Sequence, residues 1–340
     1  MIFRSKAPLR IGLAGGGTDV SPYCDLYGGA ILNTTISHAA YASIETLDAN
    51  KIIVETLDRK EKQEFSWDTI LPIDGELNLL KGVYNRIQKD YGIKKCGIRL
   101  STFVDAPAGS GLGTSSTLVV AILGAFIEML RLPFSQYDAA HYAYDIERNN
   151  LQLAGGRQDQ YAATFGGVNF MEFYKEDKVI VNPLRIRDEY MNELENNLVL
   201  YFTSTSRESA EIIKEQVSNV NKKNEKSIEA MHQLKEQAKM MKEALLKGKL
   251  NDIGEILDYG FQQKRLMAHN ISNTSIEEVY DAAKKAGATG GKISGAGGGG
   301  FMIFYAPYSH KYQLIKKLSE HGGNVVNYNL TTEGLTTWIV

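Results

Sequence analysis

The run Pro107-Ala108-Gly109-Ser110-Gly111-Leu112-Gly113-Thr114-Ser115-Ser116 leads straight into an apolar stretch, Ser115 to Leu130, that reads as a buried helix. Glycines let backbone N–H groups turn inward, and the helix start adds unpaired donors and a partial positive charge. That combination suits a polyphosphate, and the hydroxyls of Thr114, Ser115 and Ser116 could add a phosphate donor or a Mg²⁺ ligand. No GK[ST] follows, so this is not a Walker A loop. Two acids, Glu147 and Asp159, sit in glycine-flanked apolar surroundings further on. A Mg²⁺–phosphate enzyme needs oxygen ligands for the metal and a carboxylate to orient or deprotonate the attacking hydroxyl.

Two more glycine clusters flank these residues, Gly15-Gly16-Gly17 followed by Thr18 and Asp19, and Gly295 to Gly300. The second contains a formal G-x-G-x-x-G, but it runs into the strand-like Phe301–Ala306 rather than a helix, so the dinucleotide fingerprint fails its context. Spacing alone makes it a close-packed loop near a ligand. The six histidines give no H-x-x-x-H pair, no G-x-S-x-G elbow occurs, and Cys24 and Cys96 form neither a zinc spacing nor a disulfide framework.

The elements that must position these loops follow from periodicity. Strands are expected at Leu9–Ala14, Ala30–Ile36, Ala40–Leu47, Lys51–Leu57, Gly97–Phe103, Val168–Phe173, Leu198–Thr203, Phe301–Ala306 and Thr336–Val340. Helices are expected over Leu77–Tyr91, after a Ser135/Asp138 capping box, over Arg157–Thr164, Ile276–Ala286 and Tyr308–His321. From Ser206 to Met267 a Lys/Glu-rich stretch reads as a long helical hairpin broken at Gly248, with Leu234, Ala238, Met241 and Leu245 on its buried face. Strands and helices without strict βα alternation predict two packed α+β lobes, divided near residue 190 into 1–190 and 191–340, with the site in the cleft between them.

The chain has 340 residues, 43% apolar and 23% charged, an ordinary globular mix. Its formal net charge of -2 argues against a broad surface for nucleic acid or anionic membrane. The best apolar run, Leu118–Ile127, is about half the ~20 residues a membrane span needs. No secretory signal opens the chain, and the cytoplasm is the expected compartment.

In order, Ala7-Pro8-Leu9-Arg10-Ile11-Gly12-Leu13-Ala14-Gly15-Gly16-Gly17-Thr18-Asp19, Pro107 to Ser116, and Lys292-Ile293-Ser294-Gly295 to Phe301 resemble the three motifs of the GHMP kinases. The resemblance implies a two-lobed α+β fold and phosphoryl transfer from ATP with Mg²⁺. The A-G-G-G-T-D segment with Ser21-Pro22-Tyr23, and Gly156-Arg157-Gln158-Asp159-Gln160, are similar to the branch acting on heptose 7-phosphates and, less closely, to fucokinases. This implies a small sugar phosphate as partner, phosphorylated at its anomeric hydroxyl. A free-sugar kinase and a non-catalytic sugar-sensing protein stay open; a mevalonate-branch decarboxylase is disfavoured.

Carried over by position, Asp159 would be the catalytic carboxylate, with Arg10 near the transferred phosphoryl. Ser115 and Glu147 would hold Mg²⁺, and Gly109, Ser110, Gly111, Leu112, Gly113, Thr114, Ser115 and Ser116 would cradle ATP. Asp19, Gly17, Thr18, Arg157, Gly297 and Gly298 would meet the sugar. For the sugar's own phosphate, Arg157, Lys292, Lys264 and Arg265 are candidates, with Arg157 foremost; Trp67 is a guess for the nucleotide base.

Overall fold

Apolar residues crowd the start of the chain and form a 13-residue strand, β1 (Ile2–Ala14), which turns through the first glycine loop and a short helix, α1 (Tyr23–Tyr27), into β2 (Gly29–Leu47). The fold is a computed structural model that describes residues 1–67, 69–93, 96–204 and 209–340. The two strands expected within β2 are one, because the antiparallel pairing steps from Pro8 with Ala39 to Arg10 with Thr35 and residues 36–38 bulge without ending the strand.

There follow β3 (Lys51–Thr56), β4 (Glu61–Ser66), α2 (Asn78–Tyr91), β5 (Gly97–Val104), α3 (Thr114–Leu130), α4 (Gln136–Asp145), a π-helical turn (Ile146–Asn150), α5 (Gln158–Phe165), β6 (Val168–Phe173) and β7 (Val179–Pro183). The rest comprises α6 (Asp188–Asn197), β8 (Leu198–Phe202), α7 (Ser209–Asn221), α8 (Glu225–Lys247), α9 (Ile253–Lys264), α10 (Thr274–Lys285), β9 (Gly290–Ile293), β10 (Phe301–Tyr305), α11 (His310–Leu318), β11 (Asn324–Val326) and β12 (Thr336–Ile339).

One sheet runs β12-β1-β2-β5-β3-β4, with β6 on the early part of β2 and β7 beyond it; the other runs β11-β8-β10-β9. Only the β3–β5 pair is parallel. Helix α3 lies in the first core, where Val119, Ile122 and Phe126 meet Ile44, Val54 and Leu100 of the sheet and Val83, Tyr84 and Ile87 of α2. A second core joins the lobes: Leu9, Ile11 and Leu13 of β1 pack with Ala238, Met241 and Leu245 of α8 and with Leu200 and Ile303 of the smaller sheet. Burying apolar area on both sides of the first motif fixes that motif between the lobes.

The expected division at residue 190 falls inside α6, and 191–340 is not self-contained. Strand β12 returns to the first lobe and pairs with β1, Phe3 opposite Ile339 and Lys6 opposite Thr336. The expected helical hairpin is three helices. Besides Gly248, the chain breaks at Lys222-Lys223, where Asn224 caps α8 by accepting from the Ser227 N–H. Its expected start at Ser206 lies outside the described residues. The buried face is as anticipated, Leu234, Ala238, Met241 and Leu245 all being buried. Strand β4, a polar hairpin edge without apolar alternation, gave no sequence signal and exists by pairing with β3. Among the described residues no helix is long and apolar enough to cross a membrane.

Candidate active site

A cleft of about 280 Å³ opens between the lobes, lined by Arg10, Gly17, Asp19, the glycine-serine loop, Glu147, Asp159 and Lys264 among others. The loop before α3 takes positive φ at Gly109 (71°), Gly111 (83°) and Gly113 (77°), a conformation that side chains rarely adopt. Gly113 is the N-cap of α3 and makes no side-chain cap bond, so the first N–H groups of a 17-residue helix face the cleft uncapped. Gly109, Gly111, Gly113, Thr114, Ser115 and Ser116 line the cleft, whereas Ser110 and Leu112 do not. Ser110 is fully buried with its hydroxyl against that of Thr114 (3.0 Å), and Leu112 belongs to the inter-lobe core. Both shape the loop rather than face a ligand.

Asp159 stands in the first turn of α5, facing that loop. Arg10 reaches it from β1: Nε and Nη2 each lie 2.7 Å from Oδ1, while Nη1 donates to the Gly111 carbonyl at 2.6 Å. One guanidinium thus ties the carboxylate to the glycine loop. Both contacts end on Oδ1, leaving Oδ2 without a protein donor among the described residues.

Asp19 is buried at the start of α5, where Oδ2 accepts from the N–H groups of Arg157 (2.8 Å) and Gln158 (3.0 Å). Burial pushes its carboxyl above the ordinary value and the Gln158 N–H works against this, while the charge of Asp159 adds to the rise. The close approach requires Gly156, since a Cβ there would lie 1.9 Å from Asp19 Oδ2.

Glu147 sits on the π-helical turn, 1% exposed. It accepts from the Ser116 hydroxyl (3.0 Å) and from the Gln160 amide, and Arg148 Nη1 is 3.7 Å away. Burial raises its carboxyl, opposed first by the charge of Arg148. The hydroxyl beside Glu147 is therefore that of Ser116, while Ser115 is exposed at the helix start. Gln160 went unrecognised in the sequence, although it directly follows Asp159.

Three expected sugar contacts point elsewhere. Thr18 is fully buried, and its hydroxyl bonds to the Gly15 and Ala30 backbone, so it closes the loop. Arg157, the foremost phosphate candidate, is buried and turned away from the cleft. Its guanidinium donates to the Tyr174 carbonyl and to Ser21, and pairs with Asp25 (3.1 Å) and Asp177 (2.8 Å), which consumes its charge. Gly297 and Gly298 pack against Ile271, and it is Gly295 and Ala296 of that loop that line the cleft. Gly17 and Asp19 do line it. Arg265 pairs with Glu277 over Phe261, and Trp67 packs on the first core; neither lines the cleft.

Lys264 and Lys292 are buried beside the first glycine loop, Lys264 Nζ at 3.4 Å from the Gly16 carbonyl and Lys292 Nζ at 2.8 Å from that of Gly12. Burial pulls the Lys264 ammonium down to about 8, with Asp19 opposing and Arg10 adding, and pulls Lys292 well below its ordinary value, helped by Lys264 and Arg10. Two further buried polar atoms of cleft-lining residues, Gln158 Oε1 and Gln216 Nε2, have no partner.

Residues 78–167 match the GHMP kinases N terminal domain and residues 241–324 the GHMP kinases C terminal domain. A D-glycero-alpha-D-manno-heptose 7-phosphate kinase of Campylobacter jejuni is 45% identical over 335 residues, 98% of each chain. A D-glycero-D-manno-heptose 1-phosphate kinase from Bacteroides thetaiotaomicron, a solved structure, superposes with a TM-score of 0.85 at 43% identity over 99% of each chain. A bifunctional fucokinase/GDP-fucose pyrophosphorylase of Arabidopsis thaliana is 25% identical over 93% of this chain but 31% of its own length. These matches bear out the two-lobed α+β fold and the kinase resemblance of the three motifs. The two heptose relatives are named for phosphates at opposite ends of the sugar.

Proposed function

This chain belongs to the GHMP kinase family, and from that premise we propose that it transfers the terminal phosphoryl of ATP to the anomeric hydroxyl of D-glycero-D-manno-heptose 7-phosphate, giving the 1,7-bisphosphate. The observation that carries the reading is the Arg10–Asp159 arrangement, with Oδ1 fixed by the guanidinium and Oδ2 open to the cleft. Asp159 Oδ2 accepts the proton of the attacking hydroxyl. The sugar oxygen forms its bond to the γ-phosphorus as the bond from that phosphorus to the β–γ bridging oxygen breaks, and ADP leaves with that electron pair.

The uncapped N–H groups of α3 and the loop backbone cradle the ATP phosphates, and Arg10 stays beside the carboxylate as charge moves. Asp19, whose Oδ2 is committed to the start of α5, offers Oδ1 to a sugar hydroxyl. Gln158 and Gln216 offer the unpartnered acceptor and donor.

The residues present fit Mg²⁺. Glu147 is a buried carboxylate whose direct hydrogen-bond donors are neutral, and with the hydroxyls of Ser115 and Ser116 it makes a hard-oxygen set at the phosphate loop. When bound with ATP, Mg²⁺ would screen charge on the phosphate oxygens.

The test mixes protein and Mg-ATP with heptose 7-phosphate, heptose 1-phosphate, free heptose and L-fucose, following ADP and the ³¹P spectrum. A new anomeric phosphate from the 7-phosphate alone is expected. Preference for a free sugar would replace the substrate, turnover of the 1-phosphate would move the acceptor hydroxyl away from the anomeric carbon, and silence across the panel would favour a sugar-binding protein.

A further inference from the structure

Lys264 ends α9 and Lys292 lies in β9, yet both ammonium groups converge on one point of the first glycine loop. A Cβ built on Gly16 would lie 3.7 Å from Lys264 Nζ and 3.9 Å from Lys292 Nζ, so two charges flank the gap that the missing side chain leaves. Lys264 is 2% and Lys292 5% exposed. Buried lysines are nearly always paired with an acid, because an uncompensated buried charge is costly. Here, among the described residues, neither ammonium makes an ion pair, and each has a single backbone carbonyl for its three N–H donors. The third cation of the region, Arg10, is committed to Asp159. Asp19 is the acid that Lys264 senses, but its Oδ2 is occupied at the start of α5.

We propose that Lys264, Lys292 and the bare backbone at Gly16 form a subsite for the phosphate monoester that the acceptor sugar already carries. The inference rests on the sugar-phosphate reading above and adds where that phosphate is held. A dianion supplies the missing counter-charge for both ammonium groups, and the absence of a side chain at Gly16 gives its oxygens room. The position is that of the acceptor rather than of ATP. Lys264 lines the cleft beside Gly17 and Asp19, and its ammonium senses Asp19 and Arg10, whereas the phosphate loop has its own backbone donors.

The test is calorimetric binding of heptose 7-phosphate and of unphosphorylated heptose, in the presence of a non-hydrolysable ATP analogue, to the wild type, Lys264→Met and Gly16→Glu. Gly16 does not have positive φ and its Cβ contacts are ordinary, so glutamate fits the backbone and brings a carboxylate to the two lysines. Each variant is expected to raise the Kd for the phosphorylated sugar at least tenfold, while free heptose and the ATP analogue change less than twofold. Thermal melting checks folding; Lys264→Met removes an unpaired buried charge and should melt no lower than the wild type.

Lys214→Met serves as a control, since Lys214 lines a neighbouring cavity that shares Asp19 and is the rival location for the phosphate. Equal weakening of both sugars, an unchanged Kd for the phosphorylated sugar, or a loss confined to Lys214→Met would each overturn the subsite. Tight, Lys264-dependent binding without phosphoryl transfer would leave the subsite standing and sink the proposed reaction. Normal turnover of the 7-phosphate with an unaltered KM in Lys264→Met would do the reverse.

Discussion

Replacing Arg10 by lysine keeps the charge and removes the fork. In the wild type one guanidinium makes contacts of 2.7 Å from two nitrogens to Asp159 Oδ1 and a third of 2.6 Å to the Gly111 carbonyl. An ammonium is a point donor and can serve the carboxylate or the carbonyl, not both in this geometry. At least one charge-assisted hydrogen bond is then lost, worth about 1.5–3 kcal/mol. The Arg10 side chain is 4% and that of Asp159 22% exposed, so solvent replaces little of the lost contact on the arginine side. If that energy holds Asp159 in its reactive orientation, kcat falls by about 10- to 100-fold, at ~1.4 kcal/mol per factor of ten. Because Arg10 touches the phosphate loop only through a carbonyl, the KM for ATP should move by less than about threefold. Steady-state kinetics with the sugar phosphate saturating, and melting to confirm folding, give the answer. A kcat within twofold of wild type would refute the claim that the two-point contact positions the base.

Asp159→Asn keeps the shape and removes the proton acceptor, so turnover should fall by about 10²- to 10⁴-fold with analogue binding retained, as read by calorimetry. Glu147→Gln should lower kcat and raise the KM for Mg-ATP, yet stabilise the fold. The wild-type carboxyl is raised by burial, so its contribution is most favourable at low pH and is lost as pH rises through the folded value; the variant's advantage in urea unfolding should therefore be larger at pH 8 than at pH 5. Gly156→Ala drives a Cβ onto Asp19 and should break its bonds to the start of α5. A loss of about 3 kcal/mol in unfolding free energy and a raised sugar KM at unchanged ATP affinity are the outcome to look for. Ser135→Ala removes the capping box of α4 and should cost about 1 kcal/mol in the same unfolding assay without touching kcat.

The sequence by itself determined what depends on neighbours along the chain. The start of α3 after the glycine-serine loop, the Ser135/Asp138 cap, the strands of both lobes and the order of the three loops follow from local steric and hydrogen-bonding preferences, and they appear within a few residues of where the periodicity places them. Asp19, Glu147 and Asp159 also lie where a cleft was expected. Direction across the chain was not legible. Thr18 and Arg157 stand one and two residues from cleft-facing acids, yet turn inward to bond backbone carbonyls and distant carboxylates. Strand β12 crosses back to β1, against the contiguous division at residue 190, because the edge of β1 offered an unpaired ladder. Only the packed structure sets Arg10 on Asp159 and brings Lys264 and Lys292 together at Gly16. Residues that far apart in sequence carry no mutual signal in a single chain; the inter-lobe core, formed by burying β1 against α8 and the second sheet, decides which charges meet.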